Sequence, residues 1–457
     1  MSKVQQYIEK ITEETGSSTF CVLPWVHVAT RPNGDMRLCC SSNASGAQTR
    51  DYAVGLIKQD DGRIANFGNE GVLESFNNDF MCNIRNSMLH SKIPPSCAKC
   101  FEEEESGVIS KRLWEYHVWS NELDISQLIS DTTVDGKVPP VIRYLDLRLG
   151  HTCNLKCVMC TPHDSSSWIK ENAEIVKITT SPIVLEQLKW KKFNNYWYEK
   201  EEFWNELFGQ ISNISHLYFA GGEPLMIKEH RRFLDEIIKQ GYAQKICLRY
   251  NSNMLYVNDE IIQIWSKFKQ VKYACSIDAT YDRNNYIRYP TDWNDIERNL
   301  EKLDNSPDNI QCSIACTVQA LNIKHIPEFA KWKLSKNFKK INNFTVDGHT
   351  IGGGLINLHL LYIPSFLSAR ILPAEDKKDV RRIFEEFKVW LWENYTQDDD
   401  FWVHNPQGWA RWESILKFIE AGDQSDLLPA FKEYISNINK LRNLNSTEIF
   451  PELGHLM

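Results

Sequence analysis

Residues 151–160 read HTCNLKCVMC and set Cys153, Cys157 and Cys160 at the spacing CxxxCxxC. Thiolates are soft ligands, suited to zinc and to iron–sulfur clusters. Structural zinc wants four closed ligands, usually from paired CxxC or CxxH hairpins. Here His151 and His163 are the only local candidates for a fourth. Three thiolates on a four-iron cluster would leave one iron open, and an open position is the mark of a metal site that does chemistry. The chain carries 13 cysteines. In a sequence without an apolar leader, clustered cysteines point to metal sooner than to disulfides. A second group lies at 21, 39, 40, 97 and 100. Cys247, Cys275, Cys312 and Cys316 sit in apolar, strand-like runs and Cys82 stands alone, so these five are expected to be buried, inert thiols.

The elements that must hold the three thiols alternate. "VIRYLDLRL" reads as a strand that ends at Gly150, just before the cysteines, with a helix after them that Asp164 is placed to cap. "HLYFAGGEP", "KICLRYNSN", "VKYACSIDA" and "IQCSIACTV" are further strands, each followed by a helical stretch. Gly241 closes one of these helices, and Thr291 or Asp292 opens another. A sixth strand is expected at 356–363, "INLHLLYI", in preference to 343–349, "NFTVDGH". Strand–helix alternation calls for parallel βα units. The expected fold class is α/β, a partial (β/α)6 TIM-like barrel over 141–365. Polar loops such as AGGEP, NSN and SIDA fall at strand C-terminal ends, where such folds place ligands. Residues 177–200 are basic and aromatic and read as a packed surface excursion. Residues 366–457 form a helical tail whose stripes are Val380, Ile383, Phe387 and Trp390, then Trp412, Ile415 and Ile419, then Phe431, Ile435 and Ile438.

Composition excludes some classes. The chain has 457 residues, 42% hydrophobic and 25% charged, with a formal net charge of −8. That charge argues against a protein that binds nucleic acid mainly through its phosphates. No 18-residue apolar run exists, so no membrane span is expected. The start, "MSKVQQYIEKITEETG", lacks an apolar h-region, which predicts a reducing, cytoplasmic setting.

CxxxCxxC directly after a first barrel strand resembles the radical S-adenosylmethionine (SAM) enzymes. The resemblance implies a [4Fe–4S] cluster on Cys153, Cys157 and Cys160, with SAM on its open iron, reductive cleavage of SAM to a 5′-deoxyadenosyl radical, and hydrogen abstraction from a substrate. It also implies an electron donor such as flavodoxin or ferredoxin. Gly221, Gly222 and Glu223, with Pro224, resemble the family's GGEP segment, which meets the SAM amino group; glycines allow close backbone approach and a carboxylate suits an ammonium. By the same resemblance Asn253 in "YNSN", Ser276 and Asp278 in "SIDAT", and Arg288 in "NNYIRYPTDW" are cofactor-binding residues. The resemblance also makes Met159 a cofactor-binding residue, at the position before the third cysteine that is often aromatic and stacks near adenine in the family.

The N-terminal region, with "FCVLPWVHVATRPNGDMRLCC" and "PPSCAKCFEEEESG", resembles the auxiliary-cluster domains called SPASM and, in short form, twitch. "PNG" is a good hairpin turn, and Cys97 and Cys100 form CxxC at a helix start. The resemblance implies a second [4Fe–4S] cluster on Cys21, Cys39, Cys97 and Cys100, with Cys40 the rival to Cys39 and zinc the rival metal. The implied domains are 1–140, an N-terminal auxiliary-cluster domain; 141–365, the radical SAM core; and 366–457, a helical C-terminal region. Ser110–Arg112, "SKR", and the "FPEL" near the end match a group with this arrangement. The implied function is a radical SAM oxidoreductase or modifying enzyme acting on a peptide, protein or small molecule. The alternatives are a redox-neutral reaction such as epimerisation with a structural auxiliary cluster, or a non-enzymatic iron–sulfur or zinc protein.

Overall fold

The computed structural model describes residues 3–42, 55–105, 107, 109–192, 196–341, 344–346, 349–351, 355–398, 402 and 408–457. Ten strands occur among them: β1 (His27–Thr30), β2 (Met36–Arg37), β3 (Tyr144–Arg148), β4 (His216–Ala220), β5 (Cys247–Ser252), β6 (Gln270–Ser276), β7 (Ile310–Val318), β8 (Phe344–Val346), β9 (His349–Ile351) and β10 (Asn357–Leu360). Eight of them form one sheet in the order β10-β7-β6-β5-β4-β3-β1-β2. Every pairing from β10 to β1 is parallel, and only β2 runs antiparallel. The sixth strand of the βα series is β10, inside the 356–363 stretch. The rival stretch contributes instead to the separate β8–β9 hairpin, with residues 343, 347 and 348 outside the described set.

Parallel strands usually read as continuous apolar runs because helices cover both faces. These alternate. Leu145, Leu147, Leu217, Phe219, Leu248 and Tyr250 are buried on one face. Helix Lys228–Lys239 packs there through Phe233, Leu234 and Ile237, which places the Phe233 ring 6.5 Å from Phe219. The register puts Tyr144, Asp146 and Arg148 in line with His216, Tyr218, Arg249 and Asn251 on the other face. The sheet thus has a helix-covered apolar face and a polar face that lines a hollow.

Local signals set the helix ends. Asn258 caps Asp259–Trp265 by accepting from the Ile261 N–H at 2.9 Å, and Asp292 caps Trp293–Asp304. Gly241, at φ +80°, follows Lys228–Lys239. Asp164 does not cap a helix. Its carboxylate accepts from the Thr161 N–H at 3.0 Å inside the cysteine loop, and the helix begins at Trp168. Competition between a local turn and a helix start is what short acidic side chains offer.

The N-terminal region joins the sheet. β1 pairs with β3 (His27↔Tyr144), and the PNG turn links β1 to β2 with Gly34 at φ +89°. A Cβ at Gly34 would lie 2.6 Å from Trp197 Cδ1, and Trp197 donates to the Pro32 carbonyl at 3.1 Å. The 177–200 excursion therefore packs onto the hairpin through a buried tryptophan; its residues 193–195 lie outside the described set. Helix Lys111–Trp119 is tied to β5 by one buried carboxylate: Glu115 receives Lys111 at 2.9 Å and Arg249 at 3.1 Å.

In the C-terminal region helix Ala374–Asn394 buries Val380, Phe384, Phe387 and Leu391. The stripe expected through Ile383 and Trp390 is shifted by one residue, and those two stand at its margin. Trp412, Ile415 and Ile419 are buried in Trp409–Glu420, and Phe431, Ile435 and Ile438 in Leu428–Arg442. No described helix is long and apolar enough to cross a membrane.

Candidate functional site

Two thiol-lined cavities stand out. The first is a cleft at the C-terminal ends of β3–β6, where folds of parallel strands place their ligands. Cys153, Cys157 and Cys160 all line it, with Gly221, Gly222, Asn253, Ser276 and Arg288. Met159, Glu223 and Asp278 do not line the cleft and are buried behind its wall. Arg148, Tyr218 and Asn251 line it as well and were not singled out from sequence; each sits next to a buried apolar residue of its own strand.

The cysteine loop is held from several sides. The Val158 N–H donates to the Ile287 carbonyl at 2.7 Å, and Trp168 Nε1 donates to the Cys157 carbonyl at 2.9 Å. Ser167 Oγ donates to the Cys153 carbonyl and Ser165 Oγ to that of Leu155. Helix Leu428–Arg442 adds Tyr434, whose hydroxyl donates to the Val158 carbonyl at 2.8 Å, and Arg442, which donates to the Lys156 carbonyl at 2.7 Å and pairs with Glu171.

The GGEP loop backs onto the start of this loop. The Gly222 N–H donates to Gly150 at 3.3 Å and the Glu223 N–H to Thr152 at 2.7 Å. A Cβ at Gly222 would fall on the Thr152 carbonyl oxygen and 2.7 Å from the His151 carbonyl carbon. Gly222→Ala must therefore push the two loops apart. The expected outcome is loss of at least half the iron bound by the three thiols, read by iron assay after reconstitution, with the fold retained by circular dichroism.

Glu223 faces inward. Its carboxylate accepts from Ser252 Oγ and the Asn253 N–H, each at 2.8 Å, and from the Leu225 N–H at 3.2 Å. Burial pushes its pKa up to about 7 against those donors. Here the carboxylate ties the β4 loop to the β5 loop, and that fixes Asn253, whose side-chain amide lies 3.9 Å from Cys153 Sγ and donates to Asn154 at 2.8 Å. Asp278 plays a similar part: it accepts from the Thr317 N–H at 2.7 Å and pairs with Arg288 at 2.9 Å.

The thiols fit a metal cluster chemically. Burial pushes Cys153 up to about 12. The Cys160 thiol bonds to Cys157, which lowers the Cys157 pKa and raises that of Cys160. Such buried thiols become thiolates when a cation replaces their protons.

The second cavity lies in the N-terminal region. Cys21, Cys39, Cys97 and Cys100 all line it, together with Leu23, Leu38, Met88 and Lys111; Cys40 is not in its wall. The buried Arg112 assembles it. Its guanidinium donates to the Ser18 and Phe20 carbonyls, each at 3.0 Å, fixing the Cys21 loop, and pairs with Glu104 on the helix that carries Cys100. Ser110 caps the Arg112 helix and also donates to Glu104. Ser42 Oγ donates to the Cys39 carbonyl at 2.6 Å, and Arg37 donates to that of Cys40 at 2.7 Å. Burial raises all four thiols, Cys100 to about 12; thiols of the set add to the rise at Cys21, Cys97 and Cys100, and Cys40 adds to it at Cys39. Among the described residues, no group of three or more His, Cys, Asp or Glu is placed to hold a metal ion.

Residues 147–332 match the sequence model of the Radical SAM superfamily. The match takes in the three loop cysteines and stops short of the four-thiol cavity. No curated protein sequence matches the chain. Among solved structures the chain is similar to native anSMEcpe with bound AdoMet, at 16% identity over 55% of this chain and 62% of that one, TM-score 0.36. It is also similar to Streptococcus suis SuiB bound to S-adenosylmethionine, at 12% identity over 68% and 63%, TM-score 0.33. A third is TYW1 with a lysine–pyruvate adduct bound, at 12% identity over 52% and 72%, TM-score 0.25. The chain spans less than two thirds of the length of the first two.

Proposed function

We propose that this chain is a radical SAM enzyme with a partial (β/α)6 barrel and a second, auxiliary iron–sulfur site. The observation that carries the reading is the convergence of Cys153, Cys157, Cys160 and the GG loop on one cleft within the segment that matches the Radical SAM superfamily. A [4Fe–4S] cluster with SAM supplies, when bound there, the reductive cleavage of SAM to a 5′-deoxyadenosyl radical able to take hydrogen from a substrate. The chain's own contribution is placement. Three thiolates hold one end of the cleft, Gly221 and Gly222 let backbone approach, and Asn253, Ser276 and Arg288 present polar groups to the SAM methionine and ribose. Buried Glu223 and Asp278 act by positioning Asn253 and Arg288. Met159 packs behind the loop.

The four-thiol cavity would hold the auxiliary cluster on Cys21, Cys39, Cys97 and Cys100. With all irons closed, that group's role is to accept one electron, so that a substrate oxidised by two electrons loses one hydrogen atom, one proton and one electron. A one-electron donor such as a flavodoxin or ferredoxin supplies the cleft, the substrate is a peptide, protein or small molecule, and the setting is the reducing cytoplasm.

Anaerobic reconstitution with iron and sulfide tests this reading. The wild type should turn brown and release 5′-deoxyadenosine from SAM with a reductant. Iron uptake without 5′-deoxyadenosine would mark an electron carrier, and zinc in place of iron a structural metal protein.

A further inference from the structure

Arg148 ends β3, and its side chain belongs to the polar face of the sheet. Its guanidinium leans back along the strands. It lies 6.0 Å from the ring centre of Tyr218 on β4, and its Nε is 3.5 Å from an oxygen of Asp146, two residues earlier. It thus turns away from the loop that carries the cysteines. Arg288 does the opposite: its charge acts on Cys157 and Cys160, whereas that of Arg148 acts on Cys40, next to the four-thiol cavity. The cleft holds two guanidiniums, one towards each thiol set.

Their pairing differs. Arg288 meets Asp278 at 2.9 Å, and that carboxylate is itself held by a backbone N–H. Neither guanidinium Nε makes a hydrogen bond, but Asp278 accepts one N–H on its other oxygen, whereas both oxygens of Asp146, which is 0% exposed, have no hydrogen-bond partner. An unmet buried guanidinium donor costs free energy until an acceptor completes it. An arginine offers five N–H donors in a planar fork. The Arg148 Nε approaches Asp146 at 3.5 Å, and the residue lines the cleft. Asn251 lines the same cleft from β5, two strands away, and its amide oxygen accepts from the Tyr218 hydroxyl at 2.9 Å. A guanidinium fork matches the two oxygens of a carboxylate.

We propose that Arg148, backed by Asp146, anchors a carboxylate of the substrate in this cleft, with Asn251 as a further polar group of its wall, which makes the reacting molecule an organic acid. This rests on the radical SAM reading of the cleft. The anchor orients the rest of the substrate towards the Cys153–Cys160 end, and Asp146 is a positioning residue for the guanidinium.

The test is equilibrium dialysis of radiolabelled glutarate against the full reconstituted chain, with SAM present so that its own site is filled. Glutarate should be retained saturably, and the matched diamide glutaramide should not. Arg148→Gln should weaken retention about tenfold or more, the scale of a lost charged, bidentate contact of about 1.4 kcal/mol. Arg148→Lys, which keeps the charge and loses the fork, should give an intermediate value and serves if the glutamine variant does not fold. Equal retention by wild type and variants, no retention at all, loss of retention on adding SAM, or preference for inorganic phosphate would each overturn the anchor. The 5′-deoxyadenosine released by the same wild-type preparation separates the two claims. Its absence beside Arg148-dependent glutarate binding removes the radical reading alone, and its presence without glutarate binding removes the anchor alone.

Discussion

Cys157→Ala should abolish 5′-deoxyadenosine formation while leaving the N-terminal iron in place. Cys157 is the buried member of its set, and the Trp168 indole and the Val158 clasp fix its backbone on both sides. Removing its sulfur leaves two thiolates, too few to hold four irons and present an open one. The expected loss in turnover is at least about a thousandfold, roughly 4 kcal/mol of barrier. The Cys21, Cys39, Cys97 and Cys100 cavity draws its walls from other elements, so its iron should persist. Single-turnover assays with dithionite, together with iron analysis, read both. Wild-type turnover in the variant would dismiss the three-thiol assignment.

Cys97→Ala/Cys100→Ala should halve the iron. Three thiolates with SAM, and four thiolates, imply about eight irons per reconstituted chain if both groups are [4Fe–4S], and the double variant should fall to about four. SAM cleavage should continue, because Cys153, Cys157 and Cys160 lie in a separate cavity. Four irons and one zinc in the wild type would remove the auxiliary cluster and keep the barrel site. The variant also separates an electron-accepting from a structural role once an acid substrate is in hand: product formation at the wild-type rate would make the second site structural.

Much of the site was legible because it is local. The CxxxCxxC loop, the GG turn and the strands that precede them are contiguous segments. What sequence could not give was depth. Glu223 and Asp278 read as loop polarity aimed at a ligand, but each is drawn inward by backbone donors from the neighbouring strand's end, Asn253 for one and Thr317 for the other. Those contacts exist only once the register is set. The same holds for β1. Four residues, His27–Thr30, carry no sign that they will pair with a strand more than a hundred positions later, since the edge of β3 that receives them is created by folding. Arg148 was passed over for a related reason: its meaning depends on Asp146 and Tyr218, one on its own strand and one across the ladder.

The clasp of helix Leu428–Arg442 on the cysteine loop has a consequence for biosynthesis. Tyr434 reaches back 276 positions to Val158, and Arg442 reaches back 286 to Lys156. A ribosome at 5–20 residues per second needs roughly 15–60 s to cover that interval. Throughout it the three thiols have emerged and their last restraint has not been made. They are exposed to oxidants in that window, and a sulfinic or sulfonic product would be permanent. Metal loading before the final helix arrives would trap the loop without its clasp, and loading after it would meet a loop already set. The timing of translation relative to iron–sulfur delivery is therefore part of how this site is made.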